Sequence, residues 1–331
     1  MNEIKSVSYC GGGEKLNGEW ASSRCEVSSK NDSSLYSNSE RQLTKARWTL
    51  LGALAIPLWS TWPLLATLSS TVPPIASRLP TFQLLTIAFG AGAVLLGVID
   101  RTSAQPTSIR NVRWLAVLMA VIGLLGSNAL YIFAMHLIPP AQANLISYLW
   151  PILIVVLASS LHLIDMNRRR TLAVATGLAG AALVIGGSGF TLSWLGIGFA
   201  LGSAVAWAAF CIFRMVEGDT ARPVLTLGFA GSALVAAALH VLTETTVTPS
   251  ASSLLLALLV GTMPLGLGAI LWDNGLRRGE QHLLATMAYA TPLLSAVILL
   301  AFGFVTLSSG LLVGGMLIVA AGILSGSSFG E

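Results

Sequence analysis

Trp59, Trp62, Trp150 and Trp207 sit in the middle of apolar stretches. An indole N–H is unfavourable there unless it meets an acceptor. Tryptophan more often marks the two ends of a membrane span, and Trp48, Trp114, Trp194 and Trp272 fit that belt. The same stretches hold Gln83, Asn128, Tyr131, Asn144, Ser147, Tyr148, Thr286, Tyr289 and Thr291. Such groups are costly in lipid and point into a bundle. The chemistry this set can do is recognition: rings stack on an aromatic or bulky apolar group, each contact adding roughly 0.5–1.5 kcal/mol, while neutral amides and hydroxyls hydrogen-bond a polar head. The candidate substrate-binding residues are Trp59, Trp62, Gln83, Asn128, Tyr131, Asn144, Tyr148, Trp150, Trp207 and Tyr289. The competing use of each is packing or bonding between helices.

Catalysis is a poor fit. No Asp or Glu lies centrally in an apolar stretch: Asp100, Asp165, Glu217, Asp219, Asp273 and Glu280 fall toward one end and Glu244 toward the other. His136, His162 and His240 lie near stretch ends and His282 in a loop. GSSFG (326–330) has the letters of a nucleophile motif without a strand–turn–helix context, and CGGGEK (10–15) lacks phosphate-loop spacing. Cys10, Cys25 and Cys211 form neither a disulfide framework nor a metal-ligand set. No cofactor and no metal are expected, and an intramembrane enzyme is the remote alternative.

The elements that must hold these side chains follow from composition. The chain is 54% hydrophobic and only 10% charged, with mean hydropathy +0.78, far from a soluble domain with about 25% charge. Apolar runs long enough to cross about 30 Å of hydrocarbon recur ten times: 46–66, 80–99, 113–134, 142–162, 171–187, 193–214, 223–242, 252–273, 283–303 and 308–325. The expected fold is an all-α polytopic membrane protein of ten transmembrane helices. Residues 1–45, rich in Ser and Asn and without an apolar h-region, read as a disordered tail, not a signal peptide.

Alternating ten spans from a cytoplasmic tail puts Arg41, Lys45, Arg47, Arg101, Arg110, Arg113, Arg168, Arg169, Arg170, Arg214, Arg222, Arg277 and Arg278 on one side and Arg78 alone on the other. Basic residues are retained inside during insertion, so both termini are expected in the cytoplasm, with the chain in the inner membrane. The net charge of +4 is a topology signal and calls for no nucleic-acid partner. The expected partners are the lipid bilayer and a small-molecule substrate. A monomer is expected, with Gly198-x-x-x-Gly202 and Gly310-x-x-x-Gly314 allowing a dimer.

Landmarks recur in order. Arg78 opens span two as Arg222 opens span seven, Leu51-Gly52 matches Leu195-Gly196, and Tyr148 and Pro151 return as Tyr289 and Pro292, 141 positions on. The halves read as a five-helix repeat over 46–187 and a second over 188–326, before a short cytoplasmic C-terminus at 327–331. Five crossings is odd, so the second copy enters from the opposite face, an inverted-topology repeat around a central cavity. Pro57, Pro151, Pro264 and Pro292 each remove a helical hydrogen bond inside a span. The freed carbonyl needs a partner or a wet cavity, so these prolines are expected to face inward and are candidate hinges, with static kinks the other reading.

The stretch ALYIFAMHLIPPAQANLISYLWPIL (129–153), echoed by LWDNGLRRGEQHLLATMAYATPLL (271–294), resembles the EamA-type drug/metabolite transporters over about residues 46–326. The resemblance implies a basket of helices with a central cavity, exporting amino acids or related metabolites. Read with the central aromatic rings, it points to aromatic or bulky apolar amino acids moved by alternating access. Without a buried acid, facilitated diffusion or exchange is favoured. Export of drugs or lipophilic cations, or proton-coupled antiport, are the alternatives.

Overall fold

In the computed structural model the described residues are 42–102, 112–162, 165–186, 193–217, 223–288, 290–306 and 308–326. The chain divides into a unit over Met1–Ala46, of which 42–46 are described and helical, and a unit over Arg47–Glu331. The expected tail therefore lies almost wholly outside the described residues, as do Tyr289 and Arg222. The architecture described here is that of the second unit.

Every element found among the described residues is helical. Seven helices are long and apolar enough to cross a membrane: α1 (Gln42–Thr71), α2 (Thr81–Thr102), α3 (Trp114–Leu137), α4 (Pro140–Ser160), α6 (Trp194–Phe213, continuing helical to Glu217), α7 (Pro223–Thr243) and α8 (Ala251–Gly275). The other three expected crossings coincide with α5 (Arg168–Gly186), with the pair α9 (Gln281–Ala288) and α10 (Ala290–Ala301), and with α11 (Ser309–Gly326). The arginines Arg168, Arg169 and Arg170 that open α5 lower its apolar character, while the apolar parts of α10 and α11 are shorter.

Lipid tails are as apolar as leucine, so the helices associate by close packing. The most extensive contacts join α5 to α11, α3 to α6 and α2 to α7; α7 also packs on α3, α8 on α2 and on α1, α6 on both halves of α4, and α10 on α1. Phe89 and Phe229, fully buried with ring centroids 5.4 Å apart, lock α2 against α7. Gly261 of α8 meets α2 so closely that an added Cβ would lie 2.0 Å from the carbonyl oxygen of Ala88. Only a residue without a side chain fits that crossing.

Breaks in the helices fall where proline withholds a donor. In α4, Tyr148 and Leu149 form a turn between Pro140–Ser147 and Trp150–Ser160. Tyr148 N–H still donates to Asn144 O, Leu149 N–H tightens to Ile146 O, and the ladder resumes with Leu153 N–H to Leu149 O. Pro264 is absorbed differently: Gly261–Leu267 winds as a π-helix inside α8, a form concentrated at functional sites. Pro292 is buried. Pro57 is exposed, so the expectation that all the span prolines face inward is corrected there. In α1 the local departures from the α-helix fall at Leu54 and Thr61 instead.

Candidate functional site

A cavity of about 130 Å³ lies where the broken helices meet. Helical spacing explains its lining. On α1, Trp59 and Trp62 stand one turn apart; on α3, Ser127, Asn128 and Tyr131 share a face; α4 supplies Asn144, Ser147, Tyr148 and Trp150 across its break. Ser203 and Trp207 reach in from α6, Pro264 and Leu265 from the π-helical turn of α8, Ala288 from α9 and Thr291 from α10. Among these residues there is no carboxylate and no cationic side chain.

The rings are held by neighbours. Trp59 tilts against Trp272 with centroids 5.0 Å apart, so Trp272 backs the cavity wall as well as lying toward the end of its span. Gly268 makes room for that pair: a Cβ there would lie 2.7 Å from Trp59 Nε1. Trp62 rests on Tyr131 at 5.9 Å and 36°, and Trp207 on Phe210 at 5.5 Å and 51°.

Most polar groups of the lining have already committed their protons. Asn128 Nδ2 donates to Leu124 O (2.8 Å) and Ser127 Oγ to the same carbonyl (3.3 Å). Ser147 Oγ donates to Ala200 O (3.3 Å), tying α4 to α6, and Tyr131 Oη reaches Asn144 Oδ1 at a long 3.5 Å. Among the fully buried donors of the lining, Asn144 Nδ2 has no hydrogen-bond partner, and the Thr291 hydroxyl faces that of Tyr148, on side chains 3% and 0% exposed. An unpaired buried donor costs about 1–3 kcal/mol, a cost that a ligand atom or water at Asn144 Nδ2 would relieve.

A second, smaller pocket of about 60 Å³ continues along the same helices toward the other ends of α1 and α3. Ala66, Thr67, Ser69 and Ser70 of α1 line it, with Thr81 and Leu84 of α2 and Ile132, Met135 and His136 of α3.

Eight of the ten residues selected from sequence line the central cavity: Trp59, Trp62, Asn128, Tyr131, Asn144, Tyr148, Trp150 and Trp207. Gln83 does not. Its amide pairs twice with the backbone of Val247, Nε2 donating to the carbonyl at 2.6 Å and Oε1 accepting from the N–H at 3.0 Å. Tyr289 lies outside the described residues. The selection lacked Ser127, Ser203, Leu265 and Ala288, and left Ser147 and Thr291 as merely polar span residues. Spacing held a signal for Ser203, four positions from Trp207 on one face.

The profile of the EamA-like transporter family matches residues 46–186. A relative named aromatic amino acid exporter YddG, from Ancylobacter novellus, is 30% identical over 84% of this chain and 96% of its own length. The protein of that name from Escherichia coli K12 is 24% identical over 77% of this chain and 88% of its own. A solved crystal structure of a protein at 28% identity superposes with a TM-score of 0.65, covering 86% of this chain and 97% of that one.

Proposed function

This chain belongs to the EamA-like transporter family, and from that membership and the cavity we infer that it exports aromatic or bulky apolar amino acids and related metabolites across the inner membrane. The carrying observation is the central cavity itself, walled by Trp59, Trp62, Trp150 and Trp207 and furnished only with neutral hydrogen-bonding groups. Stacking on several rings favours an aromatic side chain, and neutral dipoles suit a zwitterion that must also be released. The relatives named as aromatic amino acid exporters support the same substrate class. A cavity of about 130 Å³ is below the ~300 Å³ of ordinary ligand sites, so a bulky substrate requires the rings to move.

The working cycle in this reading is alternating access between two inverted five-helix halves, α1–α5 and α6–α11, with both termini cytoplasmic. Exchanging the halves carries the α3–α6 contact onto α8–α1, the α3–α7 contact onto α8–α2, and the α4–α6 contact onto α10–α1, while α2–α7 and α5–α11 map onto themselves. That closure supports the repeat. The turn in α4 and the π-helical turn at Pro264 are the bending points, with Pro292 the second-half counterpart of Pro151. The carrier acts as a monomer.

The test is uptake into proteoliposomes of a panel of amino acids, nucleosides and lipophilic cations. Preference for phenylalanine, tyrosine and tryptophan is expected, and the absence of any such preference overturns the substrate class. Trp207→Ala is expected to weaken apparent affinity by about two- to twelvefold, the factor that 0.5–1.5 kcal/mol of stacking converts to.

A further inference from the structure

Along α1 three regions follow in order: Gly52, then Trp59 and Trp62 of the central cavity, then Ala66 to Ser70 beside the second pocket. At the first of them α1 meets α8 backbone on backbone. A Cβ on Gly52 would lie 2.8 Å from Gly275 Cα, and one on Gly275 would lie 2.6 Å from Gly52 Cα. Leu284 of α9, 0% exposed, caps the crossing, its Cδ2 and Cδ1 atoms 3.0 and 3.1 Å from the Gly52 Cβ position and its Cδ1 2.9 Å from that of Gly275. The crossing adjoins the cavity along two helices. Gly52 precedes Trp59 by two turns of α1, about 10 Å of axial rise, and Leu284 precedes the cavity-lining Ala288 by one turn of α9.

Further toward the same end, the Glu280 N–H donates to Thr49 Oγ1 at 2.8 Å, and the Arg278 guanidinium lies 4.5 Å from the centroid of the Trp48 ring. Gly279 leaves room for that hydrogen bond, since a Cβ there would lie 2.8 Å from Thr49 Oγ1. The start of α1 is thus joined to the connection between α8 and α9 from Trp48 to Gly52. Where α2 meets α7, by contrast, Phe89 and Phe229 interlock. Two glycine backbones in contact exclude water as fully as interlocked rings do, yet they separate without side chains having to thread past one another.

We propose that the Gly52–Gly275 crossing, capped by Leu284, closes the transport path on the arginine-rich side of the membrane, and that admitting substrate from that side requires α1 to part from α8 and α9 there. The hydrogen bond at Thr49 and the Trp48–Arg278 contact hold the closed arrangement. This assignment rests on the carrier reading and adds the place at which the path is shut.

The probe is a membrane-impermeant methanethiosulfonate reagent, applied from either side to the full chain in sealed vesicles, with the native cysteines replaced and Ser127→Cys placed in the cavity. Labelling from the Arg278 side is slow in that background. Gly52→Ala and Gly275→Ala each accelerate it by about tenfold, the factor to which about 1.4 kcal/mol of overpacking in the closed form converts, and neither accelerates labelling from the Ser70 side. Thr49→Val withdraws the acceptor of the Glu280 N–H without adding bulk and accelerates labelling from the Arg278 side by about threefold, while Thr49→Ser keeps the background rate. Gly90→Ala, whose Cβ meets nothing within 4 Å, changes neither rate.

A crossing that serves only to hold the fold together gives another pattern: a lower melting temperature with both rates unchanged, or both rates raised alike. Either pattern in well-inserted Gly52→Ala and Gly275→Ala overturns the proposal; if neither inserts, Thr49→Val decides by the same criterion. The labelling needs no substrate. A wild type that moves no aromatic amino acid therefore overturns the substrate reading alone, whereas wild-type transport with side-independent labelling overturns only the closure.

Discussion

The rings of Trp62 and Tyr131 meet at 5.9 Å, tilted by 36°, between the stretches of α1 and α3 that line the central cavity and those that line the second pocket. Along α1 the cavity is lined up to Trp62 and the pocket from Ala66 onward; along α3 the change comes between Tyr131 and Ile132. The pair is therefore the partition between two spaces in line.

Removing one ring joins those spaces. In a chain whose cysteines are replaced, a single Ser127→Cys in the cavity is expected to react slowly with an impermeant thiol reagent added on the Ser70 side. Adding Trp62→Ala accelerates that labelling by about tenfold, while a Ser70→Cys control in the second pocket reacts at the same rate in both backgrounds. Equal rates for Ser127→Cys with and without Trp62 remove the partition role.

Gly261 and Gly90 make a second contrast. A Cβ on Gly261 would lie 2.0 Å from Ala88 O, against backbone that cannot yield without shifting α2; one on Gly90 meets nothing within 4 Å. Gly261→Ala is expected to destabilise the protein by about 1–3 kcal/mol through overpacking, seen as a lower melting temperature in detergent. Gly90→Ala is neutral or raises it, since alanine is the better helix former by about 1 kcal/mol. A stable Gly261→Ala would mean that the α2–α8 crossing is looser than described.

Gln83 and Glu244 act on stability, away from the substrate. The Glu244 carboxylate accepts from the N–H groups of Phe82 (2.9 Å) and Gln83 (3.1 Å), capping the start of α2 from the end of α7. His240 Nδ1 lies 2.9 Å from the same carboxylate, and His240 Nε2 is 3.0 Å from Thr246 Oγ1. Glu244→Ala is expected to cost about 1–2 kcal/mol, as loss of a helix cap does, and Gln83→Ala a comparable amount for its two bonds to Val247. Apparent affinity for substrate stays at the wild-type value in both. A large affinity loss in Gln83→Ala with unchanged melting would return that residue to the binding site.

The contrast between Gln83 and Asn144 explains what was legible in the sequence. Both are amides in apolar surroundings, and a polar exception in such a run is conspicuous, so depth in the membrane could be read for each. Facing could not. A span that meets lipid on one side and equally apolar helices on the other carries little amphipathic stripe, and so Pro57 was expected inside yet is exposed, while Trp272 was assigned to the belt yet packs on Trp59. Serine is common in spans because it can bond its own helix, as Ser127 does to Leu124, which hides the few that line a cavity. The break in α4 was legible because proline chemistry is local: Pro151 withholds a donor whatever surrounds it.

The driving force follows from the same inventory. A proton-coupled carrier needs a group at the substrate that gains and loses a proton as the site changes sides, most often a membrane-embedded carboxylate. The cavity lining has none. Among described acids, Asp100 accepts from Thr226 Oγ1 at 2.6 Å near the end of α2, and Glu244 is engaged with the start of the same helix. His136 lines the second pocket, past the Trp62–Tyr131 pair along α3. Uptake driven by a substrate gradient is therefore expected to hold within about twofold when an ionophore collapses the pH gradient, because no carboxylate lines the central cavity to couple it. Uptake that stops under that treatment, with the substrate gradient intact, would place a titrating group on the transport path and favour proton-coupled antiport.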